Sequence, residues 1–159
     1  MSSLTTKELD VILKKNSVTK RYFLGTFPAC IYPESNRDVY SFITNTDEHD
    51  RPGEHWNGWF VKNNKIIFFD SFGRPPDDPS FPPYYRNIIR KFKVIEFTRT
   101  QIQEWTSNTC GYFCTHFIYV LSLGLNIENF ISEYFNVFEI NDIVAVSYTH
   151  LTLPTTPYV

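Results

Sequence analysis

Cys110-Gly111 follows Ser107-Asn108-Thr109 and precedes an apolar stretch from Tyr112 to Leu123. Hydroxyl and amide residues accept hydrogen bonds from the first N–H groups of a helix. Phe113, Phe117, Val120 and Leu121 recur at helical spacing before Gly124, so a helix is predicted to begin at Cys110. A thiol in a first turn meets exposed N–H groups and the positive end of the helix dipole, both of which favour the thiolate. Gly111 has no side chain to obstruct an approaching substrate. A buried cysteine on a core helix satisfies the same local pattern, so the chemistry depends on partners elsewhere in the chain.

Those partners lie upstream. His55 opens His-Trp-Asn-Gly-Trp-Phe-Val, a second apolar run from Lys65 to Phe69 ends at Asp70, and Asn63-Asn64 stands between them. Asparagine tolerates the positive φ of a type I′ turn, so the two runs read as a hairpin. With Lys62 paired to Lys65, Asn57 lies opposite Asp70 and His55 sits two residues further on the same face. Diagonal neighbours are about 7–8 Å apart at the backbone, within reach of an imidazole and a carboxylate. A packed histidine and a capping aspartate would explain either residue alone. Together, and followed by a cysteine at a helix start, they point to a Cys-His-Asp catalytic set. Trp56 is expected beside the histidine, limiting water access or filling the core.

An ordered series of motifs resembles the adenovirus endopeptidase (adenain) family. It comprises Tyr22-Phe23-Leu24-Gly25-Thr26, Ile43-Thr44-Asn45-Thr46, Gly53-Glu54-His55-Trp56, Phe68-Phe69-Asp70-Ser71-Phe72-Gly73, Gln103 and Cys110-Gly111-Tyr112-Phe113-Cys114. The resemblance spans roughly residues 5 to 125, and the seven-residue step from Gln103 to Cys110 is closer to adenain than to the related proteases of SUMO and other ubiquitin-like proteins. It implies an α+β, papain-like fold: a small central mixed sheet flanked by helices, with the nucleophile at a helix N-terminus. It implies a cysteine endopeptidase that cuts viral precursor proteins after glycine, with His55, Asp70 and Cys110 catalytic. Gln103 and the Cys110 backbone N–H would form the oxyanion hole, and Gly53, Trp56 and Gly111 would line the substrate cleft. Gln101 is the poorer match to the Gln position. The expected chemistry is acyl transfer through a thioester, in which losing one oxyanion donor costs about 100- to 1,000-fold in rate.

The chain departs from the family in two respects. Its acidic residue is aspartate where the adenovirus enzymes carry glutamate. The family also implies activation by a disulfide-linked peptide and by DNA, but no cysteine lies between Cys30 and Cys110 to receive such a peptide, which counts against covalent activation. Three other readings share some of the residues: a processing protease or isopeptidase for ubiquitin-like modifiers, a catalytically silent binding module, and a metal site using His55, Cys110, Cys114 and His116. In the metal reading Cys114 and His116 are too close in sequence to share a helix face, and no metal is expected.

The chain has 159 residues and a net charge of −2, with a pI of about 6.1. One domain over residues 1–145 is expected, with no general attraction to nucleic acid. Arg86, Arg90, Lys91 and Lys93 form a local basic cluster that reads as a solvated face. Aromatics make up 18% of the residues, 15 of them phenylalanine, so an aromatic core is expected. Three cysteines, with no expected signal peptide or membrane span, predict a reducing compartment: virion, nucleus or cytosol; a monomer is expected.

The elements that must position the site follow from local signals. Thr5 and Glu8 have capping-box spacing, and Leu4 and Leu9 have staple spacing, so a helix should run from there to near Asn16. Residues 37–43 read as a short helix or strand, 47–53 as a loop, 74–83 with five prolines as irregular, 84–92 as a helix, 93–98 as a strand and 127–138 as a helix. Residues 146–159, rich in threonine and proline, read as a non-native or disordered tail outside the fold, and the domain reads as shorter at its C-terminal end than the adenovirus enzymes.

Overall fold

A computed structural model describes residues 3–46 and 55–152. Helix α1 spans Thr6–Lys15 and carries the predicted capping box: Thr5 Oγ1 accepts from the Glu8 N–H at 3.1 Å, and Glu8 Oε1 accepts from the Thr5 N–H at 3.2 Å. Leu9, Ile12 and Leu13 form its buried stripe. A 3-10 turn, Thr19–Arg21, leads into the sheet.

Five strands follow in sheet order: β1 (Phe23–Phe27), β2 (Val39–Asn45), β3 (Trp56–Lys62), β4 (Lys65–Phe69) and β5 (Val94–Phe97). The outer pairs β1–β2 and β4–β5 are parallel, and the two central pairs are antiparallel. Residues 37–43, which fit helix or strand from sequence, contribute to β2. The β3–β4 hairpin has the predicted register, with Lys62 opposite Lys65. Its turn residues Asn63 and Asn64 have φ of 49° and 65°, as a type I′ turn requires.

Strand alternation divides the core between the two faces of the sheet. Phe60, Ile67 and Phe69 face the helices, with Phe113, Phe117 and Phe130 above them. Phe42, Trp59, Phe68, Phe81 and Tyr85 form an aromatic cluster on the other face. Helices α2 (Tyr84–Ile89), α3 (Cys110–Ser122), α4 (Ile127–Ile131) and α5 (Phe138–Thr152) complete the fold. Gly58 lets α3 settle onto β3: a Cβ at that position would lie 2.7 Å from Phe117 Cδ2. Only glycine accommodates this close an approach without movement. The long helix is thereby held over the strand that begins one residue after His55.

One expectation about the C-terminal third is corrected. The helix expected over 127–138 is divided, because α4 ends at Ile131 and α5 starts at Phe138. The Asn141 side chain holds the intervening turn, accepting from the Phe135 N–H at 2.7 Å and donating to the Phe135 carbonyl at 2.6 Å. Helix α5 continues past residue 145 to Thr152. Tyr148 stacks on His116 with ring centroids 3.8 Å apart, and Thr149 is buried. Stacking of one ring and burial of one hydroxyl leave no periodic apolar stripe to read.

Candidate active site

Three elements converge on one buried corner. His55 immediately precedes β3, Asp70 immediately follows β4, and Cys110 is the first residue of α3. The hairpin register brings the first two together, and His55 Nε2 lies 2.6 Å from Asp70 Oδ1. The Cys110 thiol is also hydrogen-bonded to the His55 side chain. The three predicted catalytic side chains therefore form one chain of contacts.

Burial opposes a charge on His55, but its hydrogen bonds to Asp70 and Cys110 outweigh that cost and raise its pKa from 6.5 to about 9. Asp70 shows the mirror effect. Burial alone would push its pKa up, yet the bonds from His55 and Arg74 hold it at about 2. At neutral pH the pair is imidazolium and carboxylate.

Asp70 is saturated with donors. Asn57 Nδ2 donates to Oδ1 at 2.9 Å, realising the cross-strand pairing predicted from the hairpin register. Arg74 Nε and backbone N–H donate to Oδ2 at 2.9 and 3.1 Å, and Arg74 Nη2 reaches Oδ1 at 3.2 Å. Phe72 stacks on the His55 ring at 4.7 Å, and Trp105, 60% exposed, stacks on Phe72 at 4.3 Å. Arg74 and Trp105 escape a reading based on motif order, because their roles come from the path of irregular loops, and Phe72, though inside a quoted motif, gives no sign there of its stacking on His55.

The helix start differs in detail from its sequence reading. Thr109 is the N-cap, but its side chain makes no capping bond. Its hydroxyl instead donates to Asp142 Oδ1 of α5 at 2.8 Å. The Tyr112 and Phe113 N–H groups both donate to the Thr109 carbonyl, at 3.0 and 3.3 Å. Cys114, one turn on, is fully buried and donates to the Trp56 carbonyl at 3.4 Å. Burial drives its thiol pKa well above the ordinary cysteine value. The two neighbouring cysteines thus have different environments despite their spacing.

Gln103 is buried near this corner. Its Oε1 accepts from Ser71 Oγ, and its Nε2 donates to the Ser107 carbonyl at 2.9 Å. One of the two amide hydrogens is therefore committed within the loop leading to Cys110. Gln101 turns the other way, donating to the Gln103 carbonyl at 2.8 Å.

Of the expected cleft residues, Gly53 lies outside the described residues. Trp56 does more than pack: its Nε1 donates to the Leu4 carbonyl at 3.2 Å, tying the chain's start to β3. A Cβ on Gly111 would lie 3.1 Å from Leu4 Cβ and 3.4 Å from Trp56 Cδ1. The space above Gly111 is therefore filled by the protein itself, where an open approach was expected. A groove of about 310 Å³ runs beside it, lined by Ser3 to Thr6, Asn45, Trp56, Asn108 and Cys110.

His116, considered as a metal ligand with Cys114, points instead into the helical core. Its Nδ1 is hydrogen-bonded to the Tyr134 hydroxyl, and burial lowers its pKa to about 3. No helix among the described residues is long and apolar enough to cross a membrane.

No protein-family model matches the chain, and no curated protein matches it in sequence. Its fold is similar to that of the ASFV pS273R protease. The selenomethionine crystal structure of that protein aligns with a TM-score of 0.53 at 18% identity, covering 91% of this chain and 67% of the other. A second crystal structure of the same protease aligns with a TM-score of 0.47 at 18% identity, covering 70% and 43%. By these two alignments the chain spans between 43% and 67% of the length of that protease. The likeness shows a fold shared with that protease, which in this chain is α+β with a mixed five-stranded sheet flanked by helices. At this identity it does not place the chain in the adenain family.

Proposed function

We propose that this protein is a cysteine endopeptidase that hydrolyses polypeptide substrates through Cys110, His55 and Asp70. The observation carrying this reading is the continuous contact from Asp70 through His55 to Cys110 in a protease fold. A charged imidazolium beside the thiol favours the thiolate. Cys110 Sγ attacks the peptide carbonyl carbon, His55 protonates the leaving amine, and a water activated by His55 then hydrolyses the thioester, regenerating the thiol. Asp70 keeps the ring oriented and offsets its charge throughout.

The oxyanion is assigned to the Cys110 backbone N–H and the second amide hydrogen of Gln103. The groove beside Cys110, with the space above Gly111 filled by Leu4 and Trp56, supports a preference for glycine before the scissile bond. The substrates are assigned as viral precursor polypeptides, following the motif resemblance. Neither a disulfide-linked peptide nor DNA is required in this scheme.

The test is hydrolysis of fluorogenic peptides carrying Gly-Gly or Ala-Ala before the cleavage site. The reading predicts cleavage of the glycine peptide that is abolished in Cys110→Ser and His55→Ala. Equal cleavage by the Cys110→Ser variant would overturn it.

A further inference from the structure

The loop from Ser71 to Pro83 has no part in the scheme above, yet it builds an enclosure around one guanidinium. Arg74 stacks over Phe81 at 4.3 Å, with Phe72 and Trp105 at 5.4 and 5.8 Å from its carbon. Its Nη1 donates to Ser80 Oγ at 3.1 Å, and Ser80 is itself anchored on Asp78. The remaining guanidinium donors grip Asp70 as a fork. The prolines stiffen the segment that carries Ser80 and Phe81, so the guanidinium is held before any substrate arrives.

We propose that Arg74 is a positioning residue for the His55–Asp70–Cys110 set, fixing the Asp70 carboxylate and sharing its charge so that His55 can release its proton. This rests on the cysteine-protease reading. A carboxylate facing His55 without a counter-cation would hold the imidazolium proton more tightly and weaken it as the acid for the leaving amine. Arg74 draws part of that field to itself. Its fork also prevents the carboxylate from rotating away from Nε2, a task for which arginine is suited and lysine is not. The charged or titratable groups facing the pair are Arg74 and Cys110, with Asp78 behind Ser80 and the Tyr85 phenol behind Asn57.

The test is the pH dependence of Cys110 alkylation by iodoacetamide, followed by mass spectrometry on the intact protein, which needs no substrate. In Arg74→Met the upper transition, at which His55 loses its proton, should move up by about one pH unit or more, as expected when one charge near a titrating group is removed. Arg74→Lys should return it part of the way. Ser80→Ala, an exposed change that removes only the Nη1 anchor, should move it in the same direction by less, and it serves if Arg74→Met does not fold. An unchanged upper transition in Ser80→Ala and in whichever Arg74 variants fold would overturn the proposal. Failure of wild-type protein to show faster alkylation at Cys110 than at Cys30 and Cys114 would instead overturn the protease reading on which it rests.

Discussion

His55 Nε2 and Asp70 Oδ1 are 2.6 Å apart, so the imidazole meets its carboxylate through Nε2. This pairing follows from the hairpin. His55 stands just before β3, Asp70 just after β4, and Cys110 opens α3.

The same pair makes stability depend on pH in a defined direction. His55 rises from 6.5 to about 9 on folding, so its contribution is complete below pH 6.5 and is lost as pH rises through 9. Asp70 falls from 3.8 to about 2, so its contribution is complete above 3.8 and is lost as pH falls through 2. Urea unfolding midpoints should therefore fall between pH 6.5 and 9, and His55→Asn should flatten that slope. A midpoint in His55→Asn that fell as steeply as in the wild type would assign the slope to other groups.

Gly58→Ala should destabilise the fold by about 1–3 kcal/mol, the usual cost of overpacking, because the new methyl would sit 2.7 Å from the Phe117 ring. Displacement of α3 should also slow Cys110 alkylation. Thermal melts and labelling rates measured on the same sample check both effects.

Gln103→Ala should lower peptide turnover by about 100- to 1,000-fold while leaving the Cys110 alkylation rate nearly unchanged, because it removes charge stabilisation in the transition state. Parallel loss of both rates would make Gln103 a brace for the Ser71 and Ser107 loops instead.

The hairpin and the α1 cap were legible in the sequence because each is written in contiguous residues: Asn63-Asn64 between matched runs, and Thr5 with Glu8. His55 and Asp70 could be paired by counting along that hairpin. The division of residues 127–138 was not legible, because it depends on Asn141 bonding to the backbone of Phe135. The packing of Tyr148 onto His116 likewise joins residues with no shared local pattern. Arg74 is next to a proline-rich stretch that reads only as irregular, and its role emerges from where Ser80 and Phe81 come to rest.

Activity should persist in reducing agent, since Cys30, Cys110 and Cys114 form no disulfide and the proposed nucleophile needs its sulfur unoxidised. Stimulation by DNA should be small and vanish at moderate salt, as contacts from a few Lys and Arg side chains would. Activity lost on reduction, or DNA binding that survives high salt, would contradict these expectations.

The central claim is that Cys110 is an activated nucleophile. Its most direct test is mass spectrometry after brief iodoacetamide treatment at neutral pH, comparing the three cysteines within one protein. Cys110 should be labelled first, Cys114 should remain protected by its burial, and His55→Ala should slow Cys110 labelling by removing the imidazolium. Equal labelling of all three thiols, or a Cys110 rate unaffected by His55→Ala, would contradict the account.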